Sequence, residues 1–449
     1  MNKLFGTDGI RGVANIYPMD PQTALAVGRA VALYFDPRGG PLGAHVVIGQ
    51  DTRISGDMLA QAVAAGVCAA GMDVVLLGVM PTPGIARLAA ASGAAAGIVI
   101  SASHNPYEDN GIKIFDGSGF KLSDAAESEI ENLILNGNVG GKGPSGRIGR
   151  VKKMPDAGGQ YLKFLLEAVP GLSLDGMTIV LDCGNGATHA VAPELFRRLG
   201  ARVTPMFCDP DGVNINDQCG SQYPQQMARV VVAQGADLGL AFDGDGDRLI
   251  VVDETGQVLS GDQIMAICAA DLQRKGLLAH NVVVGTVMSN TGFHQALRQM
   301  GIQVHATQVG DRYVMQKMLA EEAVLGGEDS GHLIFRDVHT TGDGLMAALR
   351  LLDAVRTAGR RVSELAGIMT VFPQELINVD VGGKPDLDSV PAIVEAIAQA
   401  QSALGDQGRV LVRYSGTQNK CRVMVEGHTR KVTRELCLKI AGVVKKELG

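Results

Sequence analysis

177-MTIVLDCGNGA-187 sets an apolar, β-branched run directly against a glycine-rich turn. That is the pattern of a buried strand delivering its carboxyl end to a tight loop. A helix near 188–199 and a strand near 202–207 follow, so the stretch opens a βαβ unit. The same grammar runs upstream, where 46-VVIG-49, 74-VVLLG-78 and 98-IVIS-101 alternate with Ala-rich helical stretches such as 57–71. These predict a first α/β domain with a parallel sheet. A third restart follows Ser260, with a helix at 261–275, a strand at 281–287, a helix at 291–300 and a long helix near 343–358. The C-terminal stretch differs: a helix near 387–404, the strand pair 409-RVLVRY-414 and 421-CRVMVE-426, and a closing helix 429–447 predict a smaller α+β domain. Glycine-rich stretches at 137-GNVGGKGPSG-146, 255–261 and 382-GGKPD-386 mark the boundaries. The expected domains are 1–150, 151–257, 258–372 and 373–449.

Composition narrows the function classes. The 449 residues carry 40 basic and 47 acidic side chains, a formal charge of −7, with no extended basic run, which argues against nucleic acid as a partner. Any phosphate site must then be built from a few placed Arg and Lys side chains. Seven scattered cysteines without a Cys-x-x-Cys pair suit reduced thiols in a cytoplasm. The first residues show no basic-then-apolar leader, and no apolar run approaches the roughly 20 residues of a membrane span, so neither export nor a membrane partner is expected.

Within 237-DLGLAFDGDGDRLIVVDETG-256, Asp243, Asp245 and Asp247 stand on alternate positions between two apolar strands. Three carboxylates there can converge on one hard cation, and crowding them without a counter-charge is costly. An EF-hand also begins Asp-x-Asp-x-Asp, and Glu254 stands at its twelfth position, but its sixth needs Gly where this chain has Arg248. A phosphatase of the haloacid dehalogenase type, with Asp243 as nucleophile, is the rival enzyme reading. Magnesium suits the site better than calcium, because monodentate carboxylates leave room in an octahedral shell for a phosphate oxygen and water.

101-SASHNP-106 follows a strand and ends in proline, placing Ser103 in a rigid loop at the carboxyl edge of the sheet, where open α/β folds bind ligands. Gly-x-Ser-x-Gly is absent, and the adjacent His104 is not thereby oriented as a base. Taken alone the segment is also an ordinary polar turn. In 327-GEDSGH-332, two carboxylates, a hydroxyl and an imidazole between glycines suit sugar hydroxyls, which both donate and accept. In 413-RYSGT-417, with Arg422 beyond, two guanidiniums, two hydroxyls and flexible amides form a phosphate cradle. No Walker loop occurs, and 182-DCGNGATH-189 lacks the third glycine of a dinucleotide fingerprint.

In order along the chain, 5-FGTDGIRG-12, 101-SASHNP-106, 243-DGDGDR-248, 327-GEDSGH-332 and 413-RYSGT-417 resemble the motif set of the α-D-phosphohexomutase superfamily. Further likeness in 286-TVMSNTG-292, 309-VGDRYVMQKM-318, 340-TTGDGL-345 and 421-CRVMVEG-427 points to its members that act on a hexosamine phosphate. The resemblance implies a four-domain, heart-shaped α/β protein with three related domains and a C-terminal phosphate-binding domain. It implies a catalytic set of Ser103, Lys113, Arg11 and His332, with Ser103 phosphorylated and Lys113 accepting the proton of the attacking hydroxyl. Ser103, Asp243, Asp245 and Asp247 would hold Mg2+. Thr7, Arg248, Glu328, Ser330 and His332 would contact the sugar phosphate, and Arg413, Ser415, Gly416, Thr417 and Arg422 would grip the far phosphate. A hexose 1,6-bisphosphate is the implied intermediate and activator, the partner is a small hexosamine phosphate, and a homodimer is compatible with the family.

Two departures stand out: Asp329 replaces a frequent Gln, and Tyr414 to Asn419 replace a Pro-Ser-Gly-Thr-Glu-Pro run. They leave the reaction class in place and open the choice among glucosamine, glucose and mannose phosphates. They also leave room for a sugar-phosphate-binding regulator without turnover, which intact Ser103, Lys113 and three aspartates speak against.

Overall fold

The computed structural model describes residues 4–6, 8–36, 44–136, 147–415 and 419–449 of the chain. The boundary stretch 137–146 lies outside these residues. Two compact units are present: Met1–Met288 with Gln303–Gly367, and Ser289–Ile302 with Ile368–Gly449.

The first unit holds three sheets. In the first, β1 (Ile10–Val13), β2 (His45–Gln50), β3 (Asp73–Val79), β4 (Ala96–Ile100), β5 (Asp109–Asp116) and β6 (Val151–Lys153) are ordered β1-β5-β4-β2-β3-β6. The second contains β7 (Thr178–Asp182), β8 (Arg202–Met206), β9 (Leu238–Phe242), β10 (Leu249–Asp253) and β11 (Val258–Leu259), ordered β11-β10-β9-β7-β8. The third contains β12 (Val282–Thr286), β13 (Gln303–Thr307), β14 (Leu325–Gly327) and β15 (Leu333–Phe335), ordered β13-β12-β14-β15.

One plan underlies all three. Three parallel strands lie in the order β4-β2-β3, β9-β7-β8 and β14-β12-β13, and a fourth returns antiparallel beside the first-named strand. The expectation of a parallel first sheet is therefore corrected: β1 and β5 run antiparallel to their neighbours. The cause is length, because residues 101–108 are too few for the crossover that parallel pairing demands, so the chain turns straight back. Sequence periodicity hides this, since β4, β9, β10 and β12 are buried at every position and read as uniform apolar runs in either direction.

Helices cover the sheets through apolar faces. Around the first sheet Val27, Val31, Leu59, Val63 and Val67 pack against Val46, Ile48, Val74 and Ile98 in one buried cluster. Helix starts follow capping chemistry: Asp20, Ser123 and Asp343 each accept a backbone N–H from the first turn of the following helix.

The second unit is a three-stranded antiparallel sheet, β16 (Gln374–Asp380), β17 (Arg409–Tyr414) and β18 (Lys420–Glu426), ordered β16-β18-β17. Helices Pro391–Leu404 and Arg430–Leu448 pack on it through Ile393, Ala400, Cys437, Ile440 and Val444. Residues 289–302 join this unit through buried Glu426, which accepts from Asn290 Nδ2 at 3.2 Å, Thr291 Oγ1 at 2.7 Å and Arg409 Nε at 2.7 Å. Among the described residues, no helix is long and apolar enough to cross a membrane.

Candidate active site

The three motif loops of the first unit are one loop in three copies. Residues 101–108 join β4 to β5, residues 243–248 join β9 to β10, and residues 328–332 join β14 to β15. Each leaves the carboxyl end of the third parallel strand, the edge where open α/β sheets bind ligands.

The loops meet. Ser103 Oγ donates to Asp243 Oδ2 at 2.6 Å, and His332 Nδ1 lies 3.6 Å from Asp247 Oδ2. Backbone bonds stitch the contacts, with Leu249 N donating to Gly331 O at 3.0 Å. The approach requires glycine: a Cβ on Gly331, whose φ is +91°, would stand 2.1 Å from Leu249 O.

Asp243, Asp245 and Asp247 are 0%, 1% and 4% exposed, and each offers a carboxylate oxygen within 4.8 Å of the others. Burial first, then the charges of Asp247 and Asp245, push Asp243 well above the usual carboxylate range. Burial alone would raise Asp247 too, but Lys113 and His332 pull it well below. Among the described residues Asp245 Oδ1 and Asp247 Oδ1 have no hydrogen-bond partner, a costly state for buried anionic oxygen. Three carboxylates with open oxygen donors fit a hard divalent cation.

Lys113 on β5 is 2% exposed, with Nζ 2.9 Å from Asp245 Oδ2, 3.2 Å from Asp8 Oδ2 and 3.7 Å from Asp247 Oδ2. Burial would strip its proton, but Asp245, Asp8 and Asp247 outweigh that and raise its pKa. Asp8 also pairs with Arg11 and Lys121, and Lys121 pairs onward with Asp311. His104 Nδ1 lies 3.2 Å from Ser103 Oγ, and burial with the charges of Arg248 and Arg11 pushes its pKa down to about 4. A neutral His104 so poor in basicity supports the loop and is badly matched to general-base work near neutral pH.

The structure thus brings together Ser103, Lys113, Arg11, the three aspartates, Arg248 and His332. Arg248 N donates to Asp243 Oδ1 at 3.1 Å, and the guanidinium is held charged against the Asp243, Asp247 and Glu328 carboxylates. Glu328 accepts from Gly310 N at 2.9 Å, and Ser330 is exposed on the same loop. Thr7, Gly416 and Thr417 lie outside the described residues. Sequence reasoning passed over Asp8, Arg53, Thr82, Lys121, Asn216 and Asp311. Thr82 Oγ1 donates to Asp245 Oδ2 at 2.6 Å, and 50-QDTR-53, a polar run at the end of β2, was a legible signal for Arg53.

In the second unit Arg413 and Arg422 are direct partners across the β17/β18 pair. Burial and then the Arg422 charge lower the pKa of Arg413, the mark of two guanidiniums facing one another. Opposed like charges destabilise a strand pair, and an anion between them relieves the strain. Lys384 Nζ donates to Ser415 O at 2.7 Å, adding a third cation near the turn.

Residues 2–139, 160–256 and 260–372 match alpha/beta/alpha domains I, II and III of phosphoglucomutase/phosphomannomutase, and residues 376–443 match its C-terminal domain. The chain belongs to the phosphoglucomutase/phosphomannomutase family. Its whole-length relatives include phosphoglucosamine mutases: it is 54% identical to that of Syntrophus aciditrophicus (strain SB), with 100% of both chains covered. Identity to the phosphoglucosamine mutase of Syntrophobacter fumaroxidans (strain DSM 10017 / MPOB) is 53%, again over 100% of both. The crystal structure of a phosphoglucomutase/phosphomannomutase family protein from Burkholderia thailandensis is similar with a TM-score of 0.82 and 26% identity, covering 99% of this chain and 97% of that one.

Proposed function

We propose that the chain interconverts glucosamine 6-phosphate and glucosamine 1-phosphate through a phosphorylated Ser103 and a 1,6-bisphosphate intermediate. The observation that carries this reading is Ser103 Oγ held 2.6 Å from Asp243 at the meeting of three equivalent loops. Full-length similarity to phosphoglucosamine mutases supports the hexosamine substrate.

In the forward direction the phosphoryl group leaves Ser103 Oγ for O1 of glucosamine 6-phosphate. Lys113 Nζ would hand a proton to the departing Ser103 Oγ and take the one that the attacking hydroxyl releases, so the charged amine ends as it began, and the product of this half is the 1,6-bisphosphate. After reorientation the 6-phosphoryl group returns to Ser103 Oγ, O6 regains a proton, and glucosamine 1-phosphate is released. Both halves need positioning and charge compensation more than covalent help. Arg248 and Arg11 supply positive charge from the chain, and burial keeps it effective.

Asp243, Asp245, Asp247 and the Ser103 side chain would hold Mg2+. When bound, the cation offsets the roughly −1.5 to −2 charge of a phosphoserine and loosens the carboxylate grip on the Lys113 proton. In the C-terminal unit Arg413 and Arg422, with Ser415, Gly416 and Thr417, would take whichever phosphate is not reacting, since guanidinium forks read a dianion and not the carbon bearing it. Thr7, Glu328 and Ser330 would address the sugar. We place the domains at 1–150, 151–257, 258–372 and 373–449, and the reaction in the cytoplasm, in keeping with seven scattered cysteines.

Phosphorus NMR of the protein with Mg2+, glucosamine 6-phosphate and a trace of hexose 1,6-bisphosphate tests the reading. Glucosamine 1-phosphate should accumulate without free phosphate. Preferred turnover of glucose or mannose phosphate would reassign the substrate within the family, and release of inorganic phosphate would overturn the mutase.

A further inference from the structure

Ser103 sits at φ +52°, a left-handed backbone conformation that non-glycine residues adopt only when the surroundings impose it. The imposing groups are Arg53 and Asn216. Arg53 is 2% exposed, and its Nε donates to Asp51 Oδ2 at 2.9 Å. Its Nη2 donates to Ser103 O at 3.0 Å and Asn105 O at 2.8 Å, while Nη1 donates to Asp109 O at 3.1 Å and to Pro106 O. All five guanidinium N–H groups are thereby spent, three of them on carbonyls of the serine loop and a fourth on that of Asp109, where β5 begins.

Asn216 comes from the chain between β8 and β9, and its Nδ2 donates to two of the same carbonyls, Ser103 O at 2.9 Å and Asn105 O at 3.1 Å. The amide side of Ser103 is tied as well: its N donates to Ser101 Oγ at 2.9 Å, and Ser101 Oγ donates to Asp51 Oδ2 at 2.6 Å. The fit is close enough to dictate a neighbour, since a Cβ on Gly244 would stand 2.6 Å from Ser103 O and 2.8 Å from Asn216 Nδ2.

We propose that Arg53 and Asn216 are positioning residues for phosphoryl transfer, clamping the Ser103 carbonyl so that the left-handed turn aims Oγ at Asp243. This rests on the mutase reading above. Neither side chain touches the reacting atoms; each acts through the backbone of Ser103. Asn216 and Asp243 stand in two different loops of the second sheet, so the carbonyl and the hydroxyl of Ser103 are both held from that sheet. In-line transfer is sensitive to such aim, and a displacement of about 1 Å costs roughly 100-fold in rate.

The test uses the full chain with Mg2+. Steady-state turnover of glucosamine 6-phosphate is measured together with the single-turnover rate at which hexose 1,6-bisphosphate phosphorylates Ser103, read by intact mass. Asn216→Ala should fold, and should lose roughly 10- to 100-fold in kcat and in the phosphorylation rate. Its KM should stay within about twofold, since substrate binding is untouched. Arg53→Ala should lose more, and millimolar guanidinium ion should restore part of the phosphorylation rate. Should Arg53→Ala fail to fold, Asn216→Ala decides alone. A folded Asn216→Ala with wild-type rates, or one that raises KM and leaves kcat unchanged, overturns the positioning role while the mutase reading stands. A wild-type chain that neither turns over nor accepts a phosphoryl group on Ser103 overturns both.

Discussion

Ser103 and Asp243, 140 positions apart, occupy the same loop in two copies of one sheet plan, and the hydroxyl of one donates to the carboxylate of the other at 2.6 Å. A repeated hairpin loop has been given a hydroxyl in one copy and carboxylates in the next, and tertiary packing places them in hydrogen-bond contact. The backbone of the serine loop does not depend on that hydroxyl, because its carbonyls are held by Arg53 and Asn216.

Ser103→Ala is therefore expected to fold with a stability loss of about 1–3 kcal/mol, the cost of leaving the buried Asp243 oxygen without its donor. It should neither accept a phosphoryl group nor interconvert sugar phosphates. Intact mass after incubation with bisphosphate, beside phosphorus NMR, reads both. Continued release of inorganic phosphate from this variant would hand the chemistry to Asp243 as a nucleophile.

Crowding in the carboxylate triad gives a second expectation. Asp243 is burdened by burial and by the charges of Asp247 and Asp245. Asp243→Asn should hold or raise the melting temperature in EDTA, because one buried negative charge is gone. Wild-type protein should gain about 2.7 kcal/mol of apparent stability at a Mg2+ concentration near 100 times its Kd, and the variant should gain far less. Scanning fluorimetry across a Mg2+ series separates the two, and equal responses would remove Asp243 from the ligand set.

Arg413 and Arg422 face one another across a strand pair. Charge-assisted bonds to a dianion are worth about 1.5–3 kcal/mol, so Arg413→Ala should raise KM roughly 10- to 100-fold. With the loops of the first unit intact, the rate of Ser103 phosphorylation at saturating bisphosphate should change far less. A variant that loses that rate with KM preserved would place Arg413 at the reacting centre instead of the distal grip.

What the sequence disclosed follows from the range of each interaction. Ser103, the three aspartates and the 327–332 loop were legible because each is a compact run of chemically committed residues at the end of an apolar strand. Thr82 and Asn216 were not, because each acts on a residue far along the chain: Thr82 on Asp245 and Asn216 on Ser103. Alone, each is an unremarkable polar residue. The α/β character of three successive units was readable from alternating strands and helices, whereas the antiparallel return of β5 was not, because the apolar run of β4 looks the same whichever way its neighbour runs.

Asp343 provides a prediction in pH. It caps the helix Gly344–Ala358, accepting from Met346 N at 3.0 Å, and also accepts from the Tyr161 hydroxyl at 2.8 Å. Its nearest basic side chain, His339, stays uncharged near neutral pH, with its pKa pushed down to about 4 by burial. Burial pushes the Asp343 carboxyl up to about 6 from an ordinary value of 3.8. The folded chain thus keeps a proton between about pH 4 and pH 6 that the unfolded chain has released, so stability from this group is present at the acid end and lost as pH rises through 6. Two pH units correspond to roughly 3 kcal/mol, which the ionised, buried carboxylate costs at pH 7. Asp343→Asn keeps one oxygen for the cap, turns an amide toward the Tyr161 hydroxyl, which can accept from it, and carries no charge. Its melting temperature relative to wild type should therefore climb between pH 4.5 and 7.5 by several degrees, as roughly 1–3 kcal/mol predicts for a domain of this size. Calorimetry at matched ionic strength reads the difference, and a gap that does not change with pH would mean that Asp343 ionises as easily folded as unfolded.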